Sequence, residues 1–355
     1  RRIAETSATL TVHRVASGTE VALQMCQDGV WYDELMQFRK VRRASDGSLL
    51  EEKGPGDTTQ VLADTLTSGD ADLFVTSGHA TERDWQIGFR YRNGQFRSKA
   101  GQMFGHQTNG SEFRIHSEHP RVYLPIGNCL MGHIDGSDAM ALAWMNDVGV
   151  RQMIGYTVVT WYGYAGWGVL DYFVEQPGRY SLTEAFHANQ HALMHRLTTN
   201  FDDLANVAVD YESRRLPSGS PNAAGKQRGL TADDARGLLW DRDCLAFYGD
   251  PGWQARMAPQ PCAFEQSLTR NGDLYTFTIT PRRDRQSFAP VNTNGSQRGG
   301  RPIVQLLARR LQNLQLLEGS QWAPVLADDF VLVPNPGPDV DPQEITIRFS
   351  ASSVK

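Results

Sequence analysis

Two short apolar runs, each followed by a chemically reactive side chain, constrain the fold of this 355-residue chain most strongly. The first covers residues 71–79 and ends at His79, and the second covers residues 122–129 and ends at Cys129. Short apolar runs rich in β-branched and aromatic residues are typical of buried parallel strands. Because functional groups in an open α/β sheet collect beyond the carboxyl ends of its strands, the sequence predicts an imidazole and a thiol at such strand ends.

The order of the remaining patterns predicts two domains. Helical patterns alternate with apolar runs, and the predicted helices cover residues 58–67, 135–148, 166–175 and 181–197. Residues 274–280 and 344–349 instead alternate apolar and polar side chains, which is typical of sandwich strands. We therefore predict an α/β domain over residues 1–262, with a mostly parallel sheet flanked by helices, and an all-β domain over residues 263–355.

Several segments carry weaker signals. Residues 1–58 are difficult to interpret, although residues 21–25 fit a strand and residues 31–38 fit the start of a helix. Residues 80–120 are polar and rich in glycine, which suits loops and a hairpin near an active site. Residues 213–232 fit a long exposed loop.

The composition argues against nucleic acid or a membrane span as partners. The net charge is −5 and 21% of residues are charged, so no general basic surface is expected. No apolar run approaches the roughly 20 residues that a membrane-spanning helix needs. The four cysteines are too few for a disulfide scaffold. Cys244 and Cys262 are close enough in sequence for one bridge, although two buried thiols are the favoured interpretation.

A cysteine and a histidine at two strand ends are the side chains needed for nucleophilic acyl transfer. A free thiol has a pKa of about 8.5 and is mostly protonated at neutral pH, so it needs a base nearby. In this hypothesis Cys129 attacks a carbonyl carbon, His79 protonates the leaving amine, and water releases the acid. Backbone N–H groups of Gly78, Ala80 and Cys129 are the local candidates for stabilising the oxyanion. This chemistry requires no cofactor.

Four segments in chain order carry a resemblance to a known family. Residues 76–85 resemble a G-H-G-x-E-x-x-W block, and residues 129–132 resemble a C-x-x-G nucleophile block. Residues 150–161 match a strand that ends in a tryptophan, and residues 247–251 contain a G-D-P segment. Together they resemble the gingipain-type cysteine peptidases of the caspase–gingipain–legumain group.

The resemblance covers about residues 60–260 and implies a caspase-like fold, followed by a small immunoglobulin-like sandwich domain. It also implies a cysteine endopeptidase that acts through a Cys129–His79 dyad and an acyl-enzyme. Trp161 would then lie beside the pocket for the substrate side chain that precedes the scissile bond (P1). Glu82 and Asp135 are further candidates for the substrate pocket, although a solvent-exposed glutamate and a helix N-terminal cap are the favoured interpretations.

The sequence departs from the family pattern at several positions. Ala80 replaces the glycine that follows the family histidine, and residues 133–135 replace a small or acidic stretch. Neither the family's histidine-orienting carboxylate nor its acidic P1-binding residue can be matched to a position here. These departures support an alternative hypothesis, in which the chain is a catalytically silent adhesion or scaffolding protein with the same fold.

Metal binding is a weaker hypothesis. His187, His191 and His195 share one helical face, but Ala188 occupies the position where a zinc hydrolase carries its glutamate base. A polar helix face is therefore the favoured interpretation, and a zinc hydrolase is a third hypothesis. The His116–His119 pair fits an exposed loop better than a metal site. Acidic pairs near the C-terminus allow structural calcium but match no complete calcium loop, and they comprise Asp328, Asp329, Asp339 and Asp341.

The expected partner is a protein or peptide substrate. The predicted sandwich domain, the low cysteine content and the family resemblance favour a secreted protein or the bacterial cell surface. The loop at 213–232 contains Arg214, Arg215 and Arg228, and is a candidate for self-cleavage if the P1 residue is basic.

Overall fold

The computed structural model describes residues 9–353 except residues 212, 214, 215, 218, 294–299 and 342. The described residues form six α-helices: α1 (Thr59–Thr67), α2 (Met140–Asp147), α3 (Tyr164–Phe173), α4 (Leu182–Asn200), α5 (Ala223–Gln227) and α6 (Ala232–Cys244). They also form twenty-one strands: β1 (Thr9–Val12), β2 (Arg14–Ser17), β3 (Asp28–Tyr32), β4 (Arg39–Arg43), β5 (Leu49–Lys53), β6 (Leu73–Thr76), β7 (Asp84–Gln86), β8 (Gln95–Lys99), β9 (Gln102–His106), β10 (Glu112–Ile115), β11 (Arg121–Pro125), β12 (Val150–Tyr156), β13 (Leu245–Gly249), β14 (Gln254–Met257), β15 (Phe264–Asn271), β16 (Leu274–Pro281), β17 (Ile303–Leu306), β18 (Leu311–Glu318), β19 (Val325–Leu326), β20 (Phe330–Val333) and β21 (Ile345–Ser353).

An eight-stranded sheet organises the first part of the chain, with the strand order β13-β12-β11-β6-β2-β3-β4-β5. The five central strands, β12, β11, β6, β2 and β3, are parallel to one another. The strands β13, β4 and β5 add to the two edges in antiparallel pairing. The mixed α/β class is therefore confirmed. The caspase-like detail and the domain boundary at residue 262 stay predictions.

The central strands are buried on both faces. Every residue of β6 and β11 is buried. Phe74 and Tyr123 pack on one face with apolar side chains of α1 and α2. Val75 and Leu124 pack on the other face with side chains of α3, α4 and α6. Burial of apolar surface from both sides fixes these strands firmly, and with them the loops that leave their carboxyl ends.

Polar side chains near the first turn mark where several helices begin. Ser181 and Glu184 form the expected capping box at the start of α4. The N-cap residue of α1 is Thr58 and not Asp57, but the Asp57 carboxylate accepts from the N–H of Thr59, the first helical residue, at 3.0 Å. The helix predicted to begin at residue 135 begins instead at Met140, because the Asp138 carboxylate is held by the Ala100 N–H at 2.7 Å in a neighbouring turn.

Two predictions for the N-terminal region are wrong. Residues 31–38 form the end of β3 and a turn rather than a helix, because the Asp33 carboxylate accepts from the Leu35 N–H at 2.7 Å and reverses the chain. Residues 21–25 contain a short 3-10 turn, Leu23–Met25, whose leucine and methionine enter the core.

Two further segments that were predicted as loops contain regular secondary structure. Residues 84–115 form a four-stranded antiparallel sheet with the order β10-β9-β8-β7, and its Trp85 and Phe96 are completely buried. The segment 213–232 contains α5, which Asn222 caps by accepting from the Gly225 N–H at 3.0 Å. Arg214 and Arg215, expected as self-cleavage sites, lie outside the described residues.

The C-terminal part is all-β over the described residues. One sheet has the order β15-β16-β21-β18 and the other has the order β17-β20-β19. Their facing side chains, among them Phe277, Ile347 and Val331, form a single core. This arrangement agrees with a sandwich, and its immunoglobulin-like character stays a prediction. The segment before β17 also packs on α3, where the Arg301 guanidinium donates to Asp171 at 2.8 Å.

Candidate active site

The loops that carry His79 and Cys129 leave the same edge of the central sheet. The last residue of β6, Thr76, pairs with the last residue of β11, Pro125, in parallel register. The two loops remain in close contact beyond this pair. A Cβ atom on Gly127 would lie 2.5 Å from the Ser77 Oγ, so only glycine allows this approach.

A cleft of about 440 Å³ opens at this edge. Four of the sequence-predicted site residues line it, namely Gly78, His79, Cys129 and Trp161. The Trp161 side chain is 50% exposed and forms part of the rim. The structure therefore brings together the predicted nucleophile, the predicted base and the predicted pocket wall.

Cys129 differs from the other thiols in its surroundings. It is half-buried and its Sγ contacts the Thr160 carbonyl at 3.2 Å. Burial raises the pKa of Cys26 to about 12 and also raises the pKa values of Cys244 and Cys262. All four cysteines are free thiols, so the expected alternative of a Cys244–Cys262 bridge is not adopted.

His79 lies on the exposed side of the cleft. Its ring packs against the Phe89 ring with 5.0 Å between the ring centroids. Its backbone carbonyl accepts from the Gln86 N–H at 2.9 Å. Gly78 precedes it with a φ of +97°, a left-handed conformation that glycine adopts at low cost.

The turn after Cys129 is tightly constrained. Leu130 has a φ of +57°, which is uncommon for a residue with a branched side chain. Gly132 then passes so close to β12 that an added Cβ would lie 2.5 Å from the Gly155 carbonyl oxygen. The glycine of the C-x-x-G block is thus explained by close packing of this turn against the sheet.

Backbone donors are available beside the two reactive side chains. Within the described part of the chain, the N–H groups of Gly78 and Cys129 make no intramolecular hydrogen bond, and both residues line the cleft. Ala80 instead forms an isolated antiparallel bridge with Trp85. It is not one of the residues that line the cleft.

Glu82 and Asp135 are not brought into the cleft lining. Both carboxylates contact Arg83, and the ion pair of Asp135 with Arg83 measures 2.6 Å. The hydrogen bond from Arg83 lowers the pKa of Asp135. Glu82 and Asp135 therefore share one ion-pair partner, Arg83, outside the cleft.

Two acidic residues that sequence reasoning missed do line the cleft, Glu20 and Glu34. The Glu34 carboxylate accepts from the Thr19 hydroxyl, from the Trp31 Nε1 at 3.0 Å and from the Glu20 N–H at 3.4 Å. Burial raises the pKa of Glu34, and no cationic side chain of the described residues pairs with it. Glu20 follows β2, which is parallel to β6, and Glu34 follows β3, which is parallel to β2, so the strand-end argument that identified His79 applies to both.

Several of the histidines considered for metal binding have other contacts. The His191 ring stacks on Phe330 with 3.9 Å between centroids, and burial lowers the pKa values of His191 and His195. His116 and His119 contact Asp147 and Asp72, at 2.8 and 2.9 Å. No group of three or more His, Cys, Asp or Glu side chains is placed to hold a metal ion among the residues that the structure describes.

Comparisons with known proteins give only distant matches. No protein-family model matches the chain, and no curated protein sequence matches it. A solved complex of the pro- and mature domains of RgpB from Porphyromonas gingivalis is similar with a TM-score of 0.30 and 11% identity, over 80% of this chain and 52% of that chain. The structure of the Arg-specific cysteine proteinase gingipain R (RgpB) is similar with a TM-score of 0.33 and 10% identity, over 80% of this chain and 50% of that chain.

This chain thus spans about half the length of the solved chains that it resembles. The similarity is at most a distant relationship of fold, and it assigns neither residues nor activity. Among the described residues, no helix has the length and apolar character needed to cross a membrane.

Proposed function

We propose that this chain is a cysteine endopeptidase that hydrolyses peptide bonds through Cys129 and His79. The observation that carries the proposal is that a half-buried thiol and an exposed imidazole line one cleft, beyond the ends of two adjacent parallel strands. The other three thiols are unsuited to this role because burial raises their pKa values.

In the proposed reaction His79 accepts the proton of the Cys129 Sγ, and the thiolate attacks the carbonyl carbon of the scissile bond. The backbone N–H groups of Gly78 and Cys129 donate to the developing oxyanion. The protonated His79 then gives its proton to the leaving amine as the C–N bond breaks. Water, deprotonated by His79, hydrolyses the thioester and regenerates the thiol.

We infer that the P1 side chain is basic. Glu34 provides a carboxylate in the cleft that already accepts three hydrogen bonds and pairs with no cation of the described residues. A guanidinium or ammonium group from the substrate would supply the missing positive charge. Trp161 and Trp167, which line the same cleft, offer flat walls for the aliphatic part of such a side chain.

The test is hydrolysis of fluorogenic peptides with systematically varied P1 residues by the wild type and by three variants. Cys129→Ala and His79→Ala are each expected to abolish hydrolysis, whereas Cys262→Ala is the matched control because it removes a half-buried thiol outside the cleft. Full activity of Cys129→Ala would refute the proposal. Absence of activity in the wild type, with Cys129 alkylated no faster than Cys262, would favour the silent adhesion or scaffolding protein.

The biological setting belongs to the same proposal. A protein or peptide is the substrate, and the C-terminal sandwich serves as a support or docking module. Secretion or attachment to the bacterial cell surface fits a peptidase of this kind. Arg228 is exposed, with its guanidinium donating to the Asn200 side chain at 2.6 Å, and self-cleavage after it stays part of this proposal if the P1 residue is basic.

A further inference from the structure

A buried polar network ties together the two loops that carry the reactive side chains. Asn128, immediately before Cys129, has 0% of its surface exposed. Its Oδ1 accepts from the Thr76 hydroxyl at 2.7 Å, and its Nδ2 donates to the Gly78 carbonyl at 3.2 Å. Because Thr76 ends β6 and Gly78 precedes His79, one carboxamide joins the nucleophile turn to the loop of the imidazole.

The donor and acceptor roles in this network follow from its chemistry. The Gly78 carbonyl can only accept, so Asn128 must present its NH₂ group there and its oxygen to Thr76. The single hydroxyl proton of Thr76 then goes to Asn128. The Tyr123 hydroxyl, 2.9 Å from the Thr76 oxygen, must therefore donate to Thr76. A carboxylate in place of the amide would meet the Gly78 carbonyl with a second acceptor, so an amide alone satisfies both partners.

We propose that Asn128 is a positioning residue that holds His79 at the distance from Cys129 that proton transfer requires. This inference rests on the proposed function. The His79 ring makes no side-chain hydrogen bond within the described residues. Its loop is held by the Gln86 N–H on the His79 carbonyl, by the Trp85 Nε1 on the Ser77 carbonyl at 2.9 Å, and by Asn128 on the Gly78 carbonyl. Of these three bonds, only the one from Asn128 runs to the nucleophile turn.

The physical consequence is geometric. Gly78 has a left-handed φ of +97° and lacks a side chain, so the backbone beside His79 has other conformations available once its carbonyl is released. A displacement of about 1 Å between reacting groups can lower a rate about 100-fold. Asn128 therefore acts on the rate of the chemical step and not on substrate binding.

The decisive variant is Asn128→Asp, which keeps the size of the side chain and its acceptor towards Thr76 but loses the donor towards Gly78. We expect kcat to fall about 10- to 100-fold while KM changes by less than about threefold. As the pH falls and the new carboxyl becomes protonated, it regains a donor for the Gly78 carbonyl. The ratio of variant to wild-type kcat should therefore rise towards low pH, which a general loss of stability would not produce.

Tyr172→Phe is the matched control, because it removes another buried hydrogen bond to a backbone carbonyl, that of Pro302, at 2.6 Å. Both variants are expected to lower the unfolding temperature, but Tyr172→Phe should retain kcat to within about twofold. The proposal is overturned if Asn128→Asp retains kcat equally well, or if its kcat ratio to wild type does not change with pH.

Alkylation of Cys129 by iodoacetamide, followed by mass spectrometry, separates this proposal from the proposed peptidase function. Wild type should react faster than His79→Ala below about pH 8, and Asn128→Asp should shift towards His79→Ala. If this pattern holds but no peptide is cleaved, the peptidase function is refuted and the role of Asn128 stands. If Asn128→Asp is alkylated like wild type at every pH, the role of Asn128 is refuted even when peptides are cleaved.

Discussion

Replacement of Glu34 by glutamine tests how the cleft selects its substrate. An ionised carboxylate has about four acceptor positions, and three on Glu34 are used by Thr19, Trp31 and the Glu20 N–H. About one position remains for a cationic P1 group, so the substrate gains a single charge-assisted hydrogen bond. Such a bond contributes about 1.5–3 kcal/mol. Glu34→Gln should therefore lower kcat/KM for a P1 arginine peptide about 10- to 150-fold.

The assay compares two peptides that differ only at P1, one with arginine and one with citrulline, which has nearly the same shape but no charge. The citrulline peptide should be cleaved slowly, and equally by wild type and Glu34→Gln, because it cannot use the carboxylate charge. An equal loss for both peptides would mean that the substitution disturbs the cleft itself. An unchanged arginine preference would refute the assignment of Glu34 to P1 recognition.

The pH dependence of this preference has a defined sign. Burial raises the pKa of Glu34 above its ordinary value, so the carboxyl becomes neutral at a higher pH than an exposed glutamate would. As the pH falls through that raised pKa, wild type should lose its preference for arginine over citrulline. Glu34→Gln should show the same low preference at every pH.

Three further predictions concern stability. Burial raises the pKa of Asp241 to about 7, so this carboxyl destabilises the fold as the pH rises from about 4 to about 7, by up to about 4 kcal/mol. The free energy of unfolding of Asp241→Asn relative to wild type, measured in urea, should therefore be larger at pH 8 than at pH 5. Gly132→Ala should lose about 1–3 kcal/mol because its Cβ would lie 2.5 Å from the Gly155 carbonyl, whereas Gly136→Ala, with no atom within 4 Å, is the matched control in thermal unfolding. Ser181→Ala should lose about 1 kcal/mol in urea unfolding, because it removes the capping box of α4.

Each of these has a result that would contradict it. A difference for Asp241→Asn that does not vary with pH would mean that Asp241 stays ionised in the fold. Equal unfolding temperatures for the Gly132 and Gly136 variants would mean that the turn after Cys129 can move away from β12. An unchanged stability of Ser181→Ala would mean that packing alone fixes the start of α4.

Elements that are defined by residues close together in the sequence were predicted correctly, and elements that depend on distant residues were not. The strands that deliver His79 and Cys129 were predicted correctly because their apolar runs are buried on both faces and need no knowledge of their neighbours. The helix starts near Asp57 and Ser181 were predicted because the capping groups lie within three residues of their partners. The first helical turn was placed too early at residue 135 because Asp138 is held by a residue distant in sequence, Ala100.

Glu20 and Glu34 were missed because their strands are recognisable only in the folded sheet. The strand β2 has four residues, beginning with a charged Arg14, and it is a strand because it lies between β6 and β3. β3 was mistaken for part of a helix, since its Trp31 and Tyr32 are followed by residues with no strand pattern. Without these two strands, the strand-end argument could not be applied to the acidic residues that follow them.

Local sequence patterns are enough to place a thiol and an imidazole after two buried strands, because short-range apolar runs define those strands. The groups that surround these two side chains are set by tertiary contacts. The tertiary structure brought Glu20 and Glu34 into the cleft, directed Glu82 and Asp135 to Arg83, and joined the two reactive loops through Asn128. These placements depend on the order of strands in the sheet and on contacts between distant residues, which local sequence patterns do not encode.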